Sequence, residues 1–179
     1  SIYLLTLTNI NTMLVSILFA ILIVIYPLTK RFFIGPQLFL GITFNPTVIV
    51  YAMTEELSNP TMGYLFFAIA SQTIAFDSFY GLCDEEDDRN LKINSTPIWW
   101  GKNTLRIIAC FQICSILLLG TIGLIDKLEL LWFVSLIMLG GFFLYQQKLA
   151  SKKKYLEAFK NNHWANLLIL MTAILCYVV

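Results

Sequence analysis

Long apolar runs, separated by short polar segments, organise this chain. Six of them, at approximately 11–28, 34–54, 60–81, 104–125, 128–147 and 163–179, have the length of a membrane-crossing helix. About 17–25 apolar residues, at roughly 1.5 Å of rise each, cover a hydrocarbon core of about 30 Å. No segment left over is large enough for a soluble domain. The opening "SIYLLTL" has neither an initiator Met nor the basic start of a signal peptide. As helix it spans only about 10 Å and reads as the tail of a helix. The expected fold class is therefore all-α, a polytopic membrane helix bundle of six spanning helices plus a helix stub.

Composition agrees with the pattern. Of 179 residues, 58% are hydrophobic and 13% charged, about half the charged fraction of a soluble domain. The net charge of +1 says little as a total, but its distribution does. Threading the six runs alternately places Lys30, Arg31, Arg89, Lys92, Lys102, Arg106, Lys148, Lys152, Lys153, Lys154 and Lys160 on one side and Lys127 alone on the other. Lys/Arg-rich short loops stay in the cytoplasm. The 29–33, 82–103 and 148–162 loops are thus expected to be cytoplasmic, or in the matrix of a mitochondrion. Cys83, Cys110, Cys114 and Cys176 show no metal-ligand spacing and read as packing residues. No nucleic-acid partner is expected.

One stretch breaks the apolar character. "FDSFYGLCDEEDD", residues 76–88, holds six of the eleven acidic residues. If helix runs from 77 to 88, Asp77, Tyr80, Asp84, Asp87 and Asp88 fall within an arc of roughly 100°, while Glu86 points away. Carboxylates on one face repel one another unless a cation lies between them. Oxygen ligands without His or a Cys pair favour a hard ion such as Mg²⁺, which typically takes one or two carboxylates plus substrate phosphates. That chemistry suits a phosphorylated ligand at the mouth of a helix bundle. An acidic helix cap is the plain alternative, though carboxylates at a helix C-terminus oppose its dipole.

The same residues carry a resemblance. "DSFYGLCDEEDD" resembles the second aspartate motif, D-x-x-Y-x-x-x-D-x-x-x-D, of the UbiA superfamily of intramembrane prenyltransferases, and of its 4-hydroxybenzoate polyprenyltransferase branch in particular. "NTM" at 11–13 is similar to a family helix start, "YPLTKRFFIGPQLFLGITFN" at 26–45 to the segment "YPxxKRxTxxPQxxLGxxFxx", and "YQQKL" with "AFKNN" to the last cytoplasmic loop. The resemblance implies a nine-helix fold of which residues 1–179 are the C-terminal part. It also implies Mg²⁺-dependent transfer of a polyprenyl group from polyprenyl diphosphate to the ring carbon of 4-hydroxybenzoate ortho to its hydroxyl, in ubiquinone synthesis. A bacterial or mitochondrial inner membrane would house it. Homogentisate, a naphthoate or haem are the acceptors of related branches.

By position, Asp84 and Asp88 take the places of the paired metal and diphosphate aspartates, with Asp87 as a further metal ligand and Asp77 and Tyr80, on the substrate side, completing the motif. Lys30 and Arg31 stand where the family is basic, and a guanidinium there suits the acceptor's carboxylate; a topology anchor is the simpler reading. Tyr26, Phe32, Phe33 and Phe44 are candidates for an aromatic cavity wall. The family's "DDxKxGxKSTA" is "DDRNLKINSTP" here, with Asn90 and Asn94 at the lysines, Lys92 at the glycine and Pro97 at the alanine. Ser95 and Thr96 are kept, and Arg89 or Lys92 are the replacement cations for the diphosphate. No match exists to the family's first aspartate motif, N-D-x-x-D-x-x-x-D. Two preceding helices carrying it are an expected partner segment, and an inactive fragment or binding subunit with a Mg²⁺-diphosphate half-site is the competing class. Lone His163 is placed at a helix start near the interface. Gly140, Gly141 and "GTIG" at 120–123 are sites of close helix approach.

Overall fold

A computed structural model describes residues 2–177, and among them it contains helices and no strand. After a four-residue helix α1 (Ile2–Leu5), α2 (Ile10–Phe32) is started by Asn9, whose Oδ1 accepts from the Thr12 amide at 2.8 Å. Its 23 residues are about 34 Å long, enough to cross. The Asn9 amide group also donates to the Ala52 carbonyl at 2.7 Å, tying the start of α2 to the end of α4.

The run at 34–54 is not one helix. It forms α3 (Pro36–Thr43) and α4 (Thr47–Met53). "FNP" at 44–46 explains the break, because a residue before proline is driven out of the helical region. Buried Asn45 closes the gap: its Oδ1 accepts from the Thr47 amide at 3.2 Å and its Nδ2 donates to the Phe66 carbonyl at 2.7 Å. Non-helical backbone at membrane depth is tolerated where protein satisfies it in this way.

α5 (Pro60–Cys83) is the centre of the molecule, packed against α3, α8 and α10. It bends at Asp84 into α6 (Glu85–Asn90), so the helix expected over 77–88 is interrupted, although the Asp88 amide still reaches the Asp84 carbonyl at 2.8 Å. α7 (Thr96–Trp100) and a 3₁₀ turn (Gly101–Asn103) lead into α8 (Thr104–Ile125), followed by α9 (Leu130–Ser151) and α10 (Tyr155–Tyr177). Among the described residues, α2, α5, the 96–125 unit and α9 are long and apolar enough to cross a membrane. α10 matches their length, but its first turns carry Glu157, Lys160, Asn161 and Asn162. The expected run at 163–179 is its second half, and its last two residues lie outside the described part.

Two apolar clusters, one around Leu119, Trp132 and Leu139 and one around Phe79, Ile108 and Leu149, hold α5, α8, α9 and α10 together. Between them lies a layer of amides. Gln112 donates to Gln146 at 2.8 Å, Gln147 donates to Gln112 at 2.9 Å, and Gln146 donates to Asn161 at 3.2 Å. The residues of "YQQKL" and "AFKNN", expected in or beside a cytoplasmic loop, are therefore helical and brace α8, α9 and α10. Cys83, Cys110 and Cys114 are exposed rather than packed, and Cys176 is half-buried. His163 sits inside α10, edge-on to Trp164 at 5.3 Å, and not at a helix start.

Four helices end in a left-handed residue that is not glycine: Glu55 after α4, Lys92 after α6, Lys127 after α8 and Lys153 after α9. At α6 the Lys92 amide reaches the Arg89 carbonyl (3.2 Å) and the Ile93 amide reaches that of Asp88 (3.0 Å), the paired bonds of a Schellman end. A side chain in this conformation costs about 1 kcal/mol. Lys92→Gly is expected to stabilise the protein by about that amount, read as a higher unfolding midpoint in detergent micelles. A lower midpoint would show that the Lys92 ammonium contributes more than its backbone strain.

Candidate active site

The end of α2 and the bend between α5 and α6 bring opposite charges together. Lys30, in the last turn of α2, points its ammonium at Asp88 of α6, with Nζ 3.5 Å from Oδ1. The carboxylate is 4% exposed and its Oδ2 has no hydrogen-bond partner. A buried carboxylate oxygen without a donor is costly, which makes this atom a candidate ligand for a cation. Asp84, at the bend between α5 and α6, stands one turn before Asp88, whose amide reaches the Asp84 carbonyl at 2.8 Å. Burial pushes the Asp84 carboxyl above its ordinary range, Lys30 acts against that, and Asp88 and Asp87 add to it.

Other expected site residues are distributed around this pair. Asp87 is exposed, as is Glu86. Tyr80 is exposed and lays its ring against Phe159 of α10, 5.2 Å between centroids, on the side where α5 meets α10. Arg31 is exposed and makes no ion pair among the described residues, whereas Arg89 is taken by Glu85 at 2.7 Å. Lys92 is exposed and closes α6. Ser95 is buried with a free hydroxyl, while Thr96 has both its amide and its hydroxyl engaged, with Gln37 and Ser78. Of the four aromatics, Tyr26 and Phe44 pair edge-on at 6.0 Å, and Phe32 is exposed. Gln37 is absent from the residues that the charge pattern singles out; its signal is a polar side chain in an apolar run that begins with Pro36.

Among the described residues, no three His, Cys, Asp or Glu side chains stand close enough to make a complete metal-ligand set. Mg²⁺ needs none, since one or two carboxylates suffice when phosphates and water supply the rest. The unpartnered Oδ2 of Asp88 and the adjacent charge of Asp84 fit such a cation.

The fold and this cluster define a multi-pass membrane helix bundle with a carboxylate-rich mouth in which Lys30 pairs with Asp88. The sequence profile described as the UbiA prenyltransferase family matches residues 1–176; the chain belongs to that family. A 4-hydroxybenzoate octaprenyltransferase of Psychromonas ingrahamii is 33% identical over 181 residues, covering 98% of this chain and 63% of that protein. One from Francisella tularensis (strain SCHU S4 / Schu 4) is 32% identical over 174 residues, covering 95% and 61%. One from a Marinomonas species is 37% identical over 156 residues, covering 86% and 55%. The chain thus spans about three fifths of the length of these curated relatives. An apo structure of a UbiA homolog from Aeropyrum pernix K1 superposes with a TM-score of 0.81 over 96% of this chain and 66% of that one, at 23% identity.

Proposed function

We propose that the chain is the C-terminal part of a UbiA-type domain that transfers a polyprenyl group from its diphosphate to the ring carbon of 4-hydroxybenzoate ortho to the hydroxyl, in ubiquinone synthesis. Relatives of that name, at 31% to 37% identity, support the acceptor. The observation that carries the reading is the buried Asp88 carboxylate, paired on one oxygen with Lys30 and open on the other. Asp84 and Asp88 would hold Mg²⁺, which supplies charge neutralisation of the departing pyrophosphate when bound. Lys30 faces the same place and offsets the leaving group's charge as the allylic C–O bond breaks. Asp77 extends the acidic face toward the membrane, and Asp87 and Lys92 lie at its solvent rim. Ser95 offers a free hydroxyl, Thr96 anchors the segment, and Tyr80 forms the wall shared with α10. The eleven-to-one bias of basic residues supports a cytoplasmic or matrix side for this mouth.

Arg31, next to Lys30 but free of the carboxylates, is the candidate for the acceptor's carboxylate. Arg31→Leu should raise the KM for 4-hydroxybenzoate by about 30- to 100-fold, equivalent to a lost charge-assisted bidentate contact. It should spare an acceptor that lacks the acid. Equal losses on both acceptors would remove Arg31 from this role. The activity itself is tested in membranes holding the complete polypeptide that contains this chain, supplied with Mg²⁺, geranyl diphosphate and 4-hydroxybenzoate. A geranylated acid is expected. No product, with a curated relative active in parallel, would overturn the function.

A further inference from the structure

We propose that Gln37 is a positioning residue of the carboxylate site, acting through the segment 91–96 that joins α6 to α7. The inference rests on the diphosphate-binding role proposed above. Gln37 lies in the first turn of α3, 2% exposed, and its Oε1 accepts from the Thr96 amide at 2.9 Å. The first amides of a helix have no intrahelical acceptor. Ser95, at the N-cap of α7, makes no capping bond with its side chain. A side chain from another helix thus does the capping, and the Ser95 hydroxyl is left buried and free.

A second attachment meets the first. Thr96 and Ser78 hydroxyls lie 3.0 Å apart, and Ser78 Oγ donates its one proton to the Ile74 carbonyl at 2.7 Å. Thr96 is therefore the donor to Ser78, which follows Asp77 on α5. Gly81 makes room for the junction: a Cβ there would stand 3.0 Å from Gln37 Nε2 and 3.1 Å from Pro97 Cγ. Upstream, the Asn94 amide donates to the Lys30 carbonyl at 2.8 Å, and the Ile93 amide to that of Asp88 at 3.0 Å. One short segment thereby touches the backbone of both members of the Lys30–Asp88 pair. Its far end is pinned by Gln37 to α3 and by Ser78 to α5. Removing the Gln37 acceptor strands a buried amide and frees the segment that holds cation and carboxylate in register.

The test uses the complete polypeptide in micelles. Gln37→Met keeps the side chain's length but removes its acceptor; Ser78→Ala removes the other attachment and covers the case in which Gln37→Met does not fold. Each should speed amide hydrogen exchange across 91–96. Gln37→Met should also weaken Mg²⁺-dependent binding of geranyl thiolodiphosphate about tenfold, and Ser78→Ala about threefold, as expected for one lost buried hydrogen bond. Affinity for 4-hydroxybenzoate should stay within about twofold. Faster exchange with diphosphate binding unchanged, or a loss that falls on the acceptor alone or on both ligands equally, would overturn the inference. Wild-type protein that binds no thiolodiphosphate would instead remove the proposed function, and this inference with it.

Discussion

Asp88→Asn is expected to lower prenyl transfer by two or more decades, about 3 kcal/mol of barrier, whichever acceptor is offered. The change keeps the size of the side chain and removes one charge from a nearly buried position beside Lys30. In the proposed reaction, the open Oδ2 of the wild type would face the cation that accompanies the diphosphate. An amide in that place offers at best a neutral oxygen and can turn its donors toward the site. Asp84→Asn should act in the same direction. Asp87→Asn should cost far less, because Asp87 stands exposed in solvent, where water screens its charge. The measurement is kcat for all three variants with two acceptors, alongside unfolding midpoints to show that the bundle persists. Equal losses at Asp87 and Asp88 would show that net acidity, and not the buried carboxylate, matters.

Gly123→Ala is expected to destabilise the bundle by about 2–4 kcal/mol, combining overpacking with a lost buried hydrogen bond. Gly123 lies in the last turn of α8, and Trp132, 3% exposed, packs onto it from the first turn of α9. A Cβ at 123 would come within 2.7 Å of the indole Nε1 and 3.1 Å of Phe133 Cζ. The indole N–H donates to the Leu119 carbonyl at 3.0 Å, so displacing the ring breaks that bond as well. A chemical unfolding series in micelles, with tryptophan emission as the probe, measures the effect. A change below about 1 kcal/mol would mean that α9 shifts without strain, as a loosely packed membrane interface can.

The expectation of close approach at "GTIG" thus holds at Gly123, while Gly141 has open space around it and carries no such contact. Spacing alone separates neither case, since both glycines lie in equally apolar helices. A similar division runs through the acidic motif. Its periodicity put Asp77, Asp84 and Asp88 on one face; in the structure Lys30 pairs with Asp88, whose amide reaches the Asp84 carbonyl one turn earlier. The same periodicity put Tyr80 and Asp87 on that face as well; in the structure the chain bends at Asp84 between them, the Tyr80 ring lies against Phe159, and Asp87 is exposed. Lys30 and Arg31, adjacent in the chain, part company too: one meets Asp88 and the other remains exposed.

What the residues dictate on their own is the partition into lipid and water. Apolar runs of spanning length form α2, α5, α8 and α9 because a helix satisfies its own backbone in hydrocarbon. Basic residues bias the loops, and six of the eleven carboxylates gather in one stretch, residues 77–88. These are local properties, written in composition and in a period of 3.6 residues. Contacts between distant segments are a different matter. The amide layer at Gln112, Gln146 and Asn161, the Asn45 brace to α5, and the Gln37–Thr96 and Asn94–Lys30 bonds join residues 15 to 64 positions apart. Each is a buried polar group whose partner is chosen by which helices pack together. Only the packed bundle decides that choice, because an amide in an apolar run must find a partner somewhere, and nothing in its immediate neighbours says where.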